Sequence, residues 1–269
     1  MTSESSGYLL AGQASELERL QLQSRVWEPS GRRVLEQIGD GRGSRALDVG
    51  CGVLGWIRIL SEWVGPDGEV TGTDIDEAML SSAAKFAREE GLANVTLVND
   101  DLFASKLQSD SFDLVHARYE ITPLGRAHEQ METYTRVARP GGTIVLEDPD
   151  AGSWHFNPPA PALERLIVLI QDAFRLGGGD WEAGRMHLNL LRDFGIEGNV
   201  NAEVLALPPG HPYLRMPLQF ANALEGKLLT LVSADELDTL RKEGEAELQE
   251  PCRWGTTFTQ LQCWGRCPT

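Results

Sequence analysis

No apolar run in the sequence approaches the roughly 18 to 20 residues that a helix needs to span a bilayer. The opening stretch, Met1 to Gly7, is polar and lacks the charged-then-apolar order of a secretory signal. The expectation is therefore a cytoplasmic protein with no membrane partner. Cysteine is scarce: Cys51, Cys252, Cys263 and Cys267 are the only four. The Cys263-x-x-x-Cys267 pair has no second pair or histidine cluster to complete a zinc site, so no metal is expected. Basic residues are also few. Against 40 Asp plus Glu stand 24 Lys plus Arg, giving a formal charge of −16, and such a surface repels nucleic-acid phosphates. That argues against an RNA- or DNA-modifying role, and a small organic substrate is the easier reading. There is no internal repeat.

What the chain does have is length and apolar content for one large α/β domain: 269 residues, 41% hydrophobic, enough for a sheet buried on both faces. Residues 1–43 read as a helical lead-in. Its helix runs over Tyr8–Val26, is interrupted at Trp27-Glu28-Pro29-Ser30, and resumes at a helix start set by Pro29. From Arg45 onward, strands and helices alternate, which is the pattern of a parallel sheet with helical crossovers. The strands expected are Arg45–Val49, Glu69–Asp74, Asn94–Asn99, Phe112–Ala117 and Thr143–Glu147. Helices Asp76–Glu90 and Arg126–Ala138 separate them. Later come helices Ala162–Leu176, Glu182–Phe194, Leu214–Leu231 and Ala234–Gln249, and two alternating strands, Val200–Leu207 and Thr256–Gly265. The segments at about 150–199 and 208–250 read as lid insertions within a domain of residues 44–269.

The chain is organised around Ala46-Leu47-Asp48-Val49-Gly50-Cys51-Gly52-Val53-Leu54-Gly55, a short strand, a glycine turn and a helix start. Glycines there let the backbone turn sharply and approach a ligand, and the helix that follows aims its positive dipole end at the same turn. The spacing Gly50-x-Gly52-x-x-Gly55 also satisfies a dinucleotide fingerprint, which alone is weak. Asp48 separates the two readings. An acid so close to the turn repels a pyrophosphate and welcomes a cation. Asp74 at the end of the second strand suits vicinal ribose hydroxyls under either reading.

This stretch resembles motif I of class I S-adenosylmethionine-dependent methyltransferases, with Leu54 standing where the third glycine of that motif would be. The Val70–Asp74 strand, Asn99-Asp100-Asp101-Leu102, Ser111-Phe112-Asp113-Leu114-Val115 and Arg139-Pro140-Gly141-Gly142-Thr143 match the family's later stretches in order. The resemblance implies a doubly wound, seven-stranded, mostly parallel sheet with an antiparallel last strand. It also implies S-adenosyl-L-methionine as cofactor. On it, Asp48, Gly50, Cys51 and Gly52 hold the aminoacyl end. Asp74 and Ile75 hold the ribose, and Asp101 and Leu102 the adenine, with Asp100 as the alternative to Asp101. His116 lies at the cofactor edge. The lead-in is similar to that of bacterial quinone-biosynthesis-like and secondary-metabolite methyltransferases, which implies that Tyr8, Arg19 and Gln23 close over the cofactor.

Methyl transfer from a sulfonium needs alignment and a desolvated acceptor lone pair, plus a base only where the acceptor is protonated. The candidates follow strands four and five. His155 is the base candidate, because histidine titrates near neutral pH. Arg118, Tyr119, Asp148, Trp154 and His187 are substrate-binding candidates. Trp154, Phe156, Phe174, Trp181, Met186, Tyr213, Met216 and Phe220 are candidates for an apolar pocket. The expected activity is methyl transfer to a small metabolite at oxygen or nitrogen. A non-catalytic regulator that binds the same cofactor is the alternative, and a homodimer is an open expectation.

Overall fold

A computed structural model describes residues 14–53 and 55–269 of the chain. Tyr8 and Leu54 lie outside the described residues. In chain order the first half runs α1 (Ala14–Ile38), β1 (Arg45–Val49), α2 (Ile57–Val64), β2 (Glu69–Asp74), α3 (Glu77–Glu89), β3 (Val95–Asn99), β4 (Phe112–Arg118), α4 (Ile121–Leu124), α5 (Ala127–Val137) and β5 (Ala138–Asp150). The second half runs β6 (His155–Asn157), α6 (Pro161–Leu176), α7 (His187–Asp193), β7 (Gly198–Glu203), β8 (Ala206–Leu207), α8 (Met216–Ala223), α9 (Glu225–Leu228), α10 (Ala234–Leu248), β9 (Trp254–Thr256) and β10 (Thr259–Arg266).

The main sheet has seven strands in the order β3-β2-β1-β4-β5-β10-β7. Strands β1 to β5 pair in parallel. The last strand, β10, runs antiparallel to both β5 and β7. The doubly wound sheet with a reversed final strand is thus as expected. Its strand order turns back between β1 and β4, the switch point where open α/β sheets bind ligands beyond their strand ends. Asp48 on β1 sits in register with Gly72 on β2 and His116 on β4. Apolar side chains cover both faces, as a parallel sheet requires. Trp56, Ile59, Leu60 and Val64 pack on one face with Val34 and Leu35. Met131, Tyr134, Leu190 and Leu191 pack on the other. A separate apolar cluster joins Trp27 to α6, α8, α10 and Phe258.

Three local expectations are corrected. Helix α1 does not break at Trp27–Ser30 but runs through Pro29. Proline costs the interior of a helix one hydrogen bond. Here anchors hold both sides of it. Trp27 is buried and donates to the Tyr213 hydroxyl at 3.0 Å, and Ser30 donates to Gln262 at 2.9 Å. The two late strands are each split between sheets. β7 and β10 belong to the main sheet, whereas β8 and β9 pair with β6 in a small three-stranded one. The joints are Val204–Leu205 and Thr257–Phe258, locked by the Thr257 amide on the Leu205 carbonyl and the Leu205 amide on the Thr257 hydroxyl, both at 3.0 Å. Burial of Phe258 at 1% exposure rewards the crossing. Finally, the helices expected at Glu182–Phe194 and Leu214–Leu231 are each shorter. A tight 3-10 turn at Ala183–Met186 precedes α7, because Gly184 lies so close to the Asp148 carbonyl that a Cβ would not fit. Pro217 starts α8 in its first turn, and α8 stops at Ala223.

Candidate functional site

The site begins where β1 ends. Gly50 and Gly52 hold φ of 59° and 53°, left-handed values that non-glycine residues adopt at a cost. A Cβ on Gly52 would meet nothing within 4 Å, so its hydrogen faces open space, whereas a Cβ on Gly50 would collide with the Glu120 carboxyl. Asp48 is 1% exposed and commits both oxygens to the protein. Oδ2 accepts the Trp56 amide at 2.7 Å, at the start of α2, and Oδ1 bonds His116 Nδ1 at 2.7 Å. Asp74 closes β2. Its Oδ2 accepts the Gly52 amide at 3.0 Å and its Oδ1 accepts the Asp76 amide at 2.8 Å. Burial raises the Asp74 pKa, and these backbone amides offset only part of that rise.

A cavity of about 1300 Å³, its open mouth included, lies over these strand ends. It brings together Arg19, Gln23, Asp48, Gly50, Cys51, Gly52, Asp74, Ile75, Asp101, Leu102, Arg118 and Tyr119. Arg19 donates to Gln23 at 2.7 Å, as their spacing of four on one helix face allows, and its guanidinium lies 4.3 Å from the centre of the Phe220 ring. Asp101 caps the short turn after β3, accepting the Phe103 amide at 2.9 Å. The neighbouring Asp100 accepts the Lys106 amide and also lines the cavity. Ile75 is 61% exposed, which leaves a bare aliphatic surface at the rim. The Cys51 thiol is held well above its usual pKa by burial and then by Asp48, Asp74 and Glu120, so it is no nucleophile.

Five candidates are not in the cavity wall: His116, Asp148, Trp154, His155 and His187. His155 is exposed on β6, its Nε2 3.1 Å from the Gly152 carbonyl. His187 and Asp148 are both buried and bonded to each other at 3.0 Å, and Asp148 also accepts the Thr122 amide at 2.9 Å. This pair fastens α7 and α4 to β5. Trp154 is buried behind the wall, 5.3 Å from Trp181 between ring centres.

His116 is fully buried beneath the glycine turn, stacked on Trp56 at 3.9 Å. Its Nδ1 bonds Asp48 and its Nε2 lies 3.2 Å from Glu147. Burial disfavours the charged ring, but the two carboxylates outweigh it and raise its pKa. Burial likewise opposes the Glu147 carboxylate, and His116, Arg118 and Gln262 overcome it, lowering the Glu147 pKa. The chain of bonds continues from Glu147 to Gln262, and from there to Ser30 and Asn201. Arg118 donates to Ser24 at 2.8 Å and to the Gly55 carbonyl at 3.3 Å. This network ties α1, the glycine turn and the middle strands into one unit.

Opposite the glycine turn, the wall is aromatic: Phe174, Trp181, Phe220, Phe258 and Tyr119. Trp181 sits at the centre, with Phe174, Phe220 and Phe258 at 5.4–5.5 Å in edge-to-face contact. Of the eight aromatic and methionine candidates, Phe174, Trp181 and Phe220 reach the cavity. Sequence reasoning missed Phe258, hidden inside what reads as a continuous strand, along with Ser24, Glu120 and Thr122. Glu120 carried a signal that went unread: an acid two residues beyond β4, at the switch point. Trp181 Nε1, Thr122 Oγ1 and Arg118 Nη1 are buried with no hydrogen-bond partner among the described residues, and all three residues line the cavity. Such atoms are costly unless something else bonds them.

The fold and cavity together define an α/β domain with a cavity over its strand ends, lined by acids and glycines of the strand ends and by a cluster of aromatic rings. The chain belongs to the family described as a methyltransferase domain, whose model matches residues 40–192. A demethylmenaquinone methyltransferase of Staphylococcus aureus (strain JH9) is 35% identical over 147 residues, 55% of this chain and 56% of that relative. The chain thus spans about half the length of the curated relatives it matches. Among solved structures, the YcgJ protein from Bacillus subtilis aligns over 88% of this chain and 98% of its own, with a TM-score of 0.59 and 18% identity. A SAM-dependent methyltransferase from Aquifex aeolicus aligns over 72% of this chain and 92% of its own, with a TM-score of 0.53 and 23% identity. These two carry the fold. Among the described residues no helix is long and apolar enough to cross a membrane, and no cluster of His, Cys, Asp and Glu could hold a metal.

Proposed function

We propose that the protein is an S-adenosyl-L-methionine-dependent methyltransferase of a small, ring-bearing apolar metabolite, working in the cytoplasm. The observation that carries this reading is the joint placement of Gly52 and Asp74 on one cavity. An open glycine cradle lies beside a carboxylate that still has lone pairs for vicinal hydroxyls. Asp101 and the bare side chain of Ile75 supply a hydrogen-bond acceptor and a flat apolar surface for an adenine. The cofactor, when bound, supplies a methyl group on a sulfonium, a leaving group that needs no acid.

What the chain must then do is bind, align and keep water out. The strand ends and glycine turn fix one reactant. The aromatic wall around Trp181 supplies a rigid apolar surface for the other, and alignment of this kind accounts for much of the rate. Acids outnumber bases on the cavity wall. Among the described residues, Asp48, Asp74, Asp76, Asp100, Asp101 and Glu120 stand against Arg19 and Arg118 there. Such a site attracts a cationic cofactor and repels anionic acceptors. The Staphylococcus aureus relative supports a quinone-like acceptor. The half of α1 that carries Arg19 and Gln23, with the segments at 150–199 and 208–250, is proposed to cover the bound pair.

Calorimetry tests the cofactor. S-adenosylhomocysteine should bind and NAD should not; the reverse result ends the proposal. Incubation with methyl-labelled S-adenosylmethionine and reduced naphthoquinones then tests transfer. Binding without any labelled small product from these or from cell extract favours the regulator instead.

A further inference from the structure

Three carboxyl groups, Asp48, Asp74 and Glu120, line one end of the cavity with a fourth, Asp148, behind its wall, and they differ in what they already hold. Asp48, Asp74 and Asp148 each accept hydrogen bonds from the protein. Glu120 has no side-chain hydrogen bond and no ion pair among the described residues. It follows β4 directly, and its carboxyl lies against Gly50, filling the place a Cβ would take. Its one open side is the cavity, while protein surrounds it elsewhere.

The groups facing it from each neighbouring element are Asp48 on β1, Asp74 on β2, Asp148 on β5, the Tyr134 phenol on α5 and the Cys51 thiol of the turn. None is a cation. Arg118, two residues away, gives Nη2 to Ser24 and the Gly55 carbonyl and sets Nε near Glu147; its Nη1 has no hydrogen-bond partner among the described residues and makes no ion pair with Glu120. Arg19 is engaged with Gln23 and Phe220. Burial, and then Asp74, Asp148 and Asp48, raise the Glu120 pKa well above its ordinary value. A carboxyl so placed favours its neutral form, and a positive group arriving beside it favours the charged one.

We infer that Glu120 is the counter-ion of the cofactor's aminoacyl ammonium and sheds a proton to solvent when it takes up that role. The inference rests on the cofactor reading given under Proposed function. The balance is simple. The neutral carboxyl loses one proton to buffer, the ammonium keeps its own, and no bond to carbon changes. Glu120 therefore determines specificity for ligands that carry the cation. Asp48, which has the better position in the sequence, has both oxygens engaged below the turn.

Two nucleosides and one variant test this by calorimetry at pH 6.5, in phosphate and in Tris, which differ in ionisation enthalpy. S-adenosylhomocysteine carries the ammonium, and 5′-methylthioadenosine lacks the whole aminoacyl end. Wild-type protein should release up to about one proton with the first and none with the second, because only a group whose pKa changes on binding exchanges protons. Glu120→Gln should abolish that release and weaken S-adenosylhomocysteine by about tenfold or more, leaving methylthioadenosine within twofold. Equal release with both nucleosides would place the proton on a ribose-contacting group such as Asp74 and overturn the inference. So would a Glu120→Gln protein that binds S-adenosylhomocysteine as tightly as wild type. If Glu120→Gln fails to fold, the wild-type contrast between the two nucleosides decides alone. Failure of both to bind wild-type protein removes the cofactor reading itself, a different result from any of these.

Discussion

His116 and Asp48 meet at 2.7 Å across neighbouring parallel strands, directly beneath the glycine turn. The bond sets the sign of a pH effect on stability. The folded pKa of His116 is raised above the unfolded value of about 6.5. Its contribution is therefore complete below that value and is lost as pH rises through the folded pKa. Glu147 is the opposite case. Its pKa is lowered from about 4.5, so its contribution is present above that value and lost as pH falls through the folded pKa. The raised carboxyls Glu120 and Asp74 also lose stability as pH rises from the usual carboxylate range. Thermal midpoints should therefore be highest in mildly acid buffer and fall steadily towards alkaline pH. A midpoint that climbs from pH 6 to pH 8.5 would contradict the assignment.

Removing His116 should be severe. His116→Leu leaves Asp48 and Glu147 as buried carboxylates without their shared partner. Breaking a buried charge pair by removing one member costs about 3–5 kcal/mol. Chemical denaturation should show that loss, reduced at low pH where the acids take up protons.

Gly52→Ala separates binding from folding. The new methyl has free space, and the cost in the protein alone is about 1 kcal/mol of left-handed backbone strain. The same methyl would occupy the cradle. The expected outcome is a small drop in melting temperature with at least tenfold weaker S-adenosylhomocysteine binding. Unchanged affinity would move the ligand away from this turn.

Asp74→Ala removes an acceptor from two backbone amides as well as from the ligand. Cofactor affinity should fall by about 1.5–3 kcal/mol, the range for hydrogen bonds to charged groups, and the turn itself should loosen. Calorimetry against S-adenosylhomocysteine measures the first, and hydrogen exchange at Gly52 the second.

His155→Ala should leave folding and cofactor affinity as they are, because the ring is exposed and its one hydrogen bond is to its own loop. Turnover within twofold of wild type is expected once an acceptor is in hand. A loss of a hundredfold would restore it as a base.

The parts of the fold visible in the sequence were those set by local chemistry. Apolar strands ending in acids and the Gly50–Gly52 turn are each written within a few residues. So are two helix starts: Asp76 Oδ1 accepts from the Ala78 and Met79 amides, and the Ser233 hydroxyl accepts from the Glu236 amide. What escaped was decided at long range. Nothing near Pro29 announces that Tyr213 and Gln262, distant in sequence, will hold the helix together on either side of it. Alternation through Val200–Leu207 carries no mark of the point where the strand leaves one sheet for another. Burial of Phe258 among rings from four other segments fixes that point. The histidines show the same limit: His187, on a helix, is bound inside to Asp148, and His155 is exposed with its one hydrogen bond to the Gly152 carbonyl.

The proline in α1 has a mechanical meaning as well. Residue 29 cannot donate to the Arg25 carbonyl, so the helix has a soft joint between two unlike halves. Downstream of it, Ser30 bonds Gln262 and Gly31 packs on Trp56 and Ile59; just upstream, Trp27 bonds the Tyr213 hydroxyl and Ser24 the Gly55 carbonyl. Further upstream, Arg19 and Gln23 line the cavity. The missing backbone bond thus falls between two points where the rod is pinned to the rest of the molecule, and long-range side-chain bonds carry the load that the main chain gives up there.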